Sequence, residues 1–233
     1  MKKLYLFLLL LMPISVVRAM DGPSRFEAFN TFAQEYFYTA FSIPENYYAE
    51  YDDYAKTYIP NLNLERLENK REWRSIGAYC ASAINKDCQS KILYPWVGLD
   101  FKGIKRYDST GNANVFSITQ YNYLSELHCC INEGFAHNEK QPSVDPTPYL
   151  IAKLGGKEAR KWGNADSVYV VDLPVTTTFE CRYTHCIGVY MAKKGYKMMF
   201  YKILMTDKAY AERDKRIEAT KNCLSFIKED WVF

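Results

Sequence analysis

Phe26, Phe29, Ala33, Tyr36 and Ala40 recur every three or four residues between polar positions. That spacing predicts an amphipathic helix of about four turns. Ser24 and Glu27 match a capping box at its start. A second stripe follows Pro44: Tyr47, Tyr51, Tyr54, Ala55 and Tyr58 share one helical face, and Pro60 stops it. "NLNLERLENK" (61–70) reads as a further short helix.

The period is less regular in the middle of the chain. "WRSIGAYCASA" (73–83) fits strand and helix equally, and "NKDCQSK" reads as a loop. "YPWVGLDFKGIKRYD" reads as a short strand running into a turn, because Pro95, Gly98 and Gly103 interrupt it. "STGNAN" is a turn cluster. Residues 115–133 fit a helix capped at Ser117 and ended by Gly134, although "NVFSITQYNY" also alternates like a strand. "HNEKQPSVDPTP" (137–148) is polar and Pro-rich, a loop or linker and the best place for a boundary.

Beyond it, Thr147 and Pro148 suit an N-cap and first helical position, so "YLIAKLGG" is expected as a short helix ended by Gly155 and Gly156. "KEARKWGNAD" adds a turn or two of helix. "SVYVVDLP" is a strand. "RYTHCIGVYMA" and "YKMMFYKILM" are two apolar runs joined at "KKG", a hairpin signal in which Gly195 supplies a positive φ. A final helix is expected from Thr206, its cap, with Tyr210, Ile217, Thr220, Leu224 and Ile227 on the inward stripe. Strands joined by a tight turn are antiparallel. The expected fold class is therefore α+β: a small antiparallel sheet with a C-terminal hairpin, covered by N-terminal and C-terminal helices. No internal repeat is present.

The first residues change the picture of charge and compartment. Lys2 and Lys3 precede an apolar run from Leu4 to Met12, and "VRA" ends at Ala19 with small residues. This is the pattern of a secretory signal peptide cleaved after Ala19. Pro13 and Arg18 interrupt the roughly 20 apolar residues that a membrane span needs. The domain organisation expected is a signal peptide over 1–19 and one α+β domain over 20–233, with any subdivision near 137–148. Removing Lys2, Lys3 and Arg18 takes the formal net charge from +3 to zero. A neutral chain of mixed charges lacks the electrostatic footprint of a nucleic-acid binder. It also lacks a polybasic patch for a membrane surface. No later segment has the length and apolarity of a span, so the expected location is secreted or periplasmic, with no membrane span after signal removal.

Seven cysteines enter an oxidising compartment, where disulfides are permitted. An odd number leaves at least one thiol free or paired between chains. Twenty tyrosines are many for this length. Tyrosines can build sugar-stacking or partner-binding surfaces, but most of these recur at helix or strand spacing and read as core and boundary residues.

From residue 147 onward, roughly the last third of the chain, "GGKEARKWGNADSVYVVDLP" and "YTHCIGVYMAKKGYKMMFYKILMTDKAYAERD" resemble small exported α+β proteins of gut-type bacteria. The resemblance implies export and fold class, and no mechanism.

Candidate chemistry concentrates in "FECRYTHCIGVY" (179–190) and "ELHCCINEG". Two of the three histidines in the chain, His128 and His185, each stand directly before a cysteine. In a strand, neighbouring side chains point to opposite faces. His185 then shares its face with Tyr183, Ile187, Val189 and Met191, while Cys186 shares the other with Thr184, Gly188 and Tyr190. The pair cannot form a dyad or hold one metal, and His185 is expected as a neutral, hydrogen-bonded core histidine. On a helix His128 and Cys129 lie about 100° apart, too far round for one site. The remaining candidates are pairs assembled across the fold: His128 with Cys186, or His185 with Cys129 or Cys130.

A Cys181–Cys186 bridge needs Cα atoms within about 7 Å. Five residues of strand span about 17 Å, so that bridge requires 181–183 to be a turn. Zinc sites usually bring a close ligand pair such as C-x-x-C, which is absent here. No cofactor motif is found: there is no P-loop, G-x-G-x-x-G, G-x-S-x-G, H-E-x-x-H or EF-hand loop. Ser225 and Lys228 form one isolated S-x-x-K with no companion motif. The function expected is a non-catalytic binding or scaffolding module for an unknown ligand or protein partner. The alternative is an enzyme using a cysteine–histidine pair from two segments.

Overall fold

The computed structural model describes residues 25–50, 79–95, 123–131, 144–175, 178–194, 196 and 198–227. The expected signal peptide (1–19), the helix over 61–70, the turn at "STGNAN", Gly195 and most of the 137–148 linker lie outside the described residues.

Nine strands and five α-helices are described. In chain order they are α1 (Arg25–Phe37), β1 (Thr39–Phe41), β2 (Tyr47–Ala49), β3 (Tyr79–Asn85), β4 (Ser90–Pro95) and α2 (Tyr123–Ile131). A 3-10 turn at Thr147–Tyr149 precedes β5 (Leu150–Gly155), α3 (Gly156–Gly163), β6 (Ser167–Leu173), β7 (His185–Ala192) and β8 (Met199–Met205). The chain then forms α4 (Asp207–Ala211), α5 (Arg213–Ala219) and β9 (Leu224–Phe226).

Seven strands make one sheet in the order β2-β3-β4-β8-β7-β6-β5, and every neighbouring pair in it is antiparallel. The fold is mixed α and β, as expected. The sheet is not small: it dominates, and the helices are few and short. The predicted hairpin forms its centre, β7 pairing with β8 from His185↔Met205 to Met191↔Met199. Every residue of β8 is buried, so both faces of this central strand are covered.

Register assigns the two faces. Cys186, Gly188 and Tyr190 share one face with Lys202, Leu204 and Phe200 of β8, their direct partners. Helix α2 covers this face: Tyr123 stacks on Tyr169 with centroids 4.4 Å apart, and Glu126 meets Lys202. The opposite face carries Ile187, Val189, Met191, Tyr201 and Tyr94. On that side lie α1, with Phe26 edge-on to Tyr94 at 4.9 Å, the helices α3 to α5, and a two-stranded ribbon of β1 and β9. Tyr201 runs its hydroxyl into α5, donating to the Thr220 carbonyl at 3.0 Å. Buried tyrosines at 79, 94, 183, 190 and 201 support the reading of this residue type as core.

Four expectations are corrected. Helix α1 ends at Phe37, because Tyr38 takes a left-handed φ of 53° and Thr39–Phe41 then pairs with β9. The tyrosine stripe after Pro44 does not begin as a helix: Tyr47–Ala49 is a strand on β3, and the Tyr47 hydroxyl reaches Ser90 at 2.8 Å. "LIAKLG" is an edge strand rather than a helix, because β6 offers it a ladder from Leu150↔Val171 to Gly155↔Ser167. The final helix breaks after Ala219, where Asn222 takes φ 69° and Leu224–Phe226 becomes β9. Thr206 does cap the start, accepting from the Ala209 N–H at 3.3 Å.

Candidate functional site

Strand β8 passes straight into α4 through Thr206, so Asp207 sits on the first turn beside the start of β7. The Asp207 carboxylate accepts from the Thr184 hydroxyl at 2.7 Å and faces His185 Nε2 at 2.9 Å. The Thr184 hydroxyl, and then His185, hold the Asp207 carboxyl below the usual carboxylate range. A group shifted this way stabilises the fold above its unfolded pKa. The contribution is lost as pH falls through the lowered value, and it is small at so exposed a site.

Three residues later on α4, Tyr210 lays its ring on His185, with centroids 3.8 Å apart and planes 8° from parallel. The Tyr210 hydroxyl donates to Asp172 of β6 and accepts from Arg213 Nη1 at 2.9 Å. Burial, then the hydrogen bond to Asp172, pushes the Tyr210 phenol up, so it stays a donor. His185 therefore fixes the Tyr210 ring, and the Tyr210 hydroxyl fixes both Asp172 and Arg213.

This chain borders open space. A concavity of about 510 Å³ is lined by Tyr149, Leu150, Ile151, Asp172, Arg213 and Asp214, together with Pro148. Arg213 and Asp214 also wall a second concavity of about 600 Å³ along residues 210–215. The two adjoin as one groove between the edge strand β5 and the α4–α5 turn. Its chemistry is mixed: a guanidinium and an ammonium, three carboxylates, two phenols and apolar side chains.

The sequence candidates fall elsewhere or apart. His185 does lie on the face opposite Cys186, as the strand alternation requires. It is not a core residue: it opens β7 at the rim of the sheet and keeps 30% of its side chain exposed. Cys186 is fully buried, and burial pushes its thiol up to about 12, with Lys202 opposing. Cys129, Cys130 and His128 are carried by α2, on the sheet face away from His185. The sheet thus separates His185 from Cys129 and Cys130. Cys130 is half-buried, and the side chains of His128 and Cys129 lie outside the described residues. Cys181 sits in a turn, which the bridge to Cys186 required, yet both are free thiols. Among the described residues no group of three or more His, Cys, Asp or Glu comes together to hold a metal ion.

Sequence reading passed over Asp172, Tyr210 and Arg213 as site residues, and also two buried cations. Lys202 pairs with Glu126 at 2.8 Å, and Lys91 pairs with Glu50 at 2.7 Å and with Glu180. Both lysines lie on the α2 face of adjacent strands. The available signal was a lysine in the middle of an apolar run for Lys202, in "FYKILM", and at the head of one for Lys91, in "QSKILY".

Comparison with known proteins finds no family model, no curated protein and no solved structure that matches this chain.

The burial of Cys186 gives a direct expectation. In the native protein at pH 8, iodoacetamide should leave Cys186 and the equally buried Cys223 unmodified while it alkylates Cys181. Only the thiolate reacts, and burial raises both thiol pKa values. Peptide mass mapping reads the result. Fast alkylation of Cys186 would show a thiol activated in the native fold.

Proposed function

We propose that the protein is an exported, non-catalytic binding module, and that the groove beside Tyr210 holds its ligand. One observation carries this reading: the polar side chains of the groove are locked by each other before any ligand arrives. Asp207 fixes His185, His185 stacks on Tyr210, and Tyr210 ties Asp172 to Arg213. Side chains already ordered lose little entropy on binding. The guanidinium and the Asp214 carboxylate beside it offer both a donor and an acceptor. The ligand that fits is small, polar and close to neutral, with hydroxyl or amide groups of both kinds. No helix among the described residues is long and apolar enough to cross a membrane.

The cysteine–histidine enzyme has less support. Cys186, the one candidate nucleophile whose side chain is fully placed in the core, is protonated and lies across the sheet from His185.

The test is backbone-amide NMR of the mature protein against a panel of monosaccharides, free amino acids and short neutral peptides. Shifts should concentrate at residues 148–151, 172 and 210–214. Arg213→Ala should weaken the best ligand about 10-fold or more, the value of a hydrogen bond to a charged group. Binding that maps elsewhere, or that Arg213→Ala leaves intact, would sink the assignment.

A further inference from the structure

The seven-stranded sheet ends on β5, which pairs with β6 and with no other described strand. An antiparallel strand turns the N–H and C=O of every second residue away from its neighbour. On β5 those groups face outward. The Leu150 N–H is taken by the Pro146 carbonyl at 3.0 Å. From Ile151 to Leu154 the only backbone partner among the described residues is β6. The ladder is irregular between Leu150 and Ala152 and regular from Ala152 to Gly155, so the outer side of that stretch is a regular edge too. Gly155 and Gly156 have nothing within 4 Å of where a Cβ would stand, so no described residue roofs the far end. The opposite edge of the sheet, β2, is only three residues long, against six in β5.

The side chains along this edge are apolar on its shoulders and basic around it. Leu150, Ile151, Ala152 and Leu154 pack partly buried against the core. Lys153, Lys157 and Arg160 are exposed. Lys153 reaches over the Tyr169 ring, 5.7 Å from its centroid, on the α2 face. Lys157 and Arg160 belong to α3, which follows β5 directly and packs on the opposite face. The one acid of α3, Glu158, is matched by Lys161 at 3.1 Å. At the start of the strand, Asp172 is engaged by Tyr210, and Asp214 stands 3.7 Å from Arg213. None of Lys153, Lys157 and Arg160 has a carboxylate partner among the described residues.

These charges choose the occupant. A second copy paired edge to edge would bring the same three cations of each chain together, and like charges opposed across strands destabilise the pairing. Lysine on an edge is a common device against such self-association. An acidic chain meets the same charges with the opposite sign.

We propose that β5 is a docking edge for an extended acidic segment of a partner protein, which adds a strand to the sheet. Main-chain hydrogen bonds to the outward groups of Ile151–Gly155 hold the segment. Alternate apolar side chains rest on the shoulders, and its carboxylates lie by Lys153, Lys157 and Arg160. The inference does not rest on the groove's ligand, which is small and is held by side chains.

The experiment measures amide hydrogen exchange of the mature protein by NMR with a capped heptapeptide of alternating glutamate and valine. At about ten times the dissociation constant, exchange of alternate amides within 151–155 should slow about 10-fold. The same peptide with lysine in place of glutamate should slow them less than about twofold. Lys153→Glu, a change at an exposed side chain, should weaken the acidic peptide about fivefold. N-methylation along the peptide backbone, which keeps its charge and removes its donors, should abolish the protection. Four results would overturn the proposal: no protection at millimolar peptide, protection confined to other segments, equal protection by the lysine peptide, or protection that survives N-methylation. Sedimentation velocity of the protein alone covers the remaining occupant, since a dimer that itself protects 151–155 would make the edge a self-association surface. The groove reading is decided separately, by shifts at 172 and 210–214.

Discussion

Replacing Lys202 by methionine is expected to destabilise the protein by about 3–5 kcal/mol. The lysine is fully buried at the middle of the central strand, and its ammonium donates to the Glu126 carboxylate at 2.8 Å, which is only 5% exposed. Methionine keeps most of the volume and removes the charge. It leaves an enclosed carboxylate without its lysine, beside Tyr190, whose enclosed hydroxyl has no hydrogen-bond partner among the described residues. The loss is therefore dominated by what is orphaned, not by the bond itself. Replacing both partners gives the opposite expectation. Lys202→Met with Glu126→Leu should recover most of the stability, because a buried pair exchanged for packed apolar groups is close to neutral. Urea unfolding of the two single variants and the double variant measures the cycle. A cost below about 1 kcal/mol for Lys202→Met would mean that water reaches the pair, contrary to its burial. The same variant loosens α2, since Glu126 and the Tyr123–Tyr169 stack are its named ties to the sheet.

The legible parts of this fold were those in which local pattern and tertiary pairing agree. The β7–β8 hairpin combines two long apolar runs with a short polar link, and both strands are central. Thr206 caps α4 whatever packs on it. The misread segments were those in which the pairing partner decides. "LIAKLG" is six residues long, too short for periodicity to separate strand from helix, and β6 settles it. Tyr47 stands at helix spacing from Tyr51 and Tyr54, but its strand ladder comes from β3, thirty residues away. Leu224 and Ile227 continue the helical stripe of α5. The chain leaves the helix there because the Asn222 N–H finds the Trp162 carbonyl at 3.1 Å and β1 offers a ladder. The site was less legible still. Alternation placed His185 and Cys186 on opposite faces, and the register agrees. It could not show that His185 opens its strand at the rim, because strand ends are the least determined part of such a reading. Asp172 and Tyr210 stand 38 residues apart and meet only through the order of three strands. No spacing rule connects them.

Gly163→Ala is expected to cost about 3 kcal/mol, at the upper end of the range for overpacking a core. Gly163 ends α3, and a methyl there would lie 2.1 Å from the Leu224 carbonyl oxygen and 2.6 Å from the Met191 terminal carbon. A methionine end can turn aside. The carbonyl cannot, since Leu224 is in β9, paired with Phe41 of β1. Neighbouring contacts hold the same junction: the Asn222 N–H on the Trp162 carbonyl, and the Asn164 side chain on the Phe226 carbonyl at 3.0 Å. The strain must therefore pass into the β1–β9 ribbon, and through it to α1, which β1 follows directly. Gly155→Ala is the control. It has nothing within 4 Å of the added carbon and an ordinary extended φ of −142°, so it should change stability by less than about 0.5 kcal/mol. Thermal unfolding of the two variants side by side checks the contrast. Hydrogen exchange of the Gly163→Ala protein should show faster exchange in β1 and β9 than in β7 and β8, because the ribbon yields before the central strands do. Equal melting of the two variants would mean that α3 and β9 separate without cost, and that the ribbon is not seated by the absence of a side chain at Gly163.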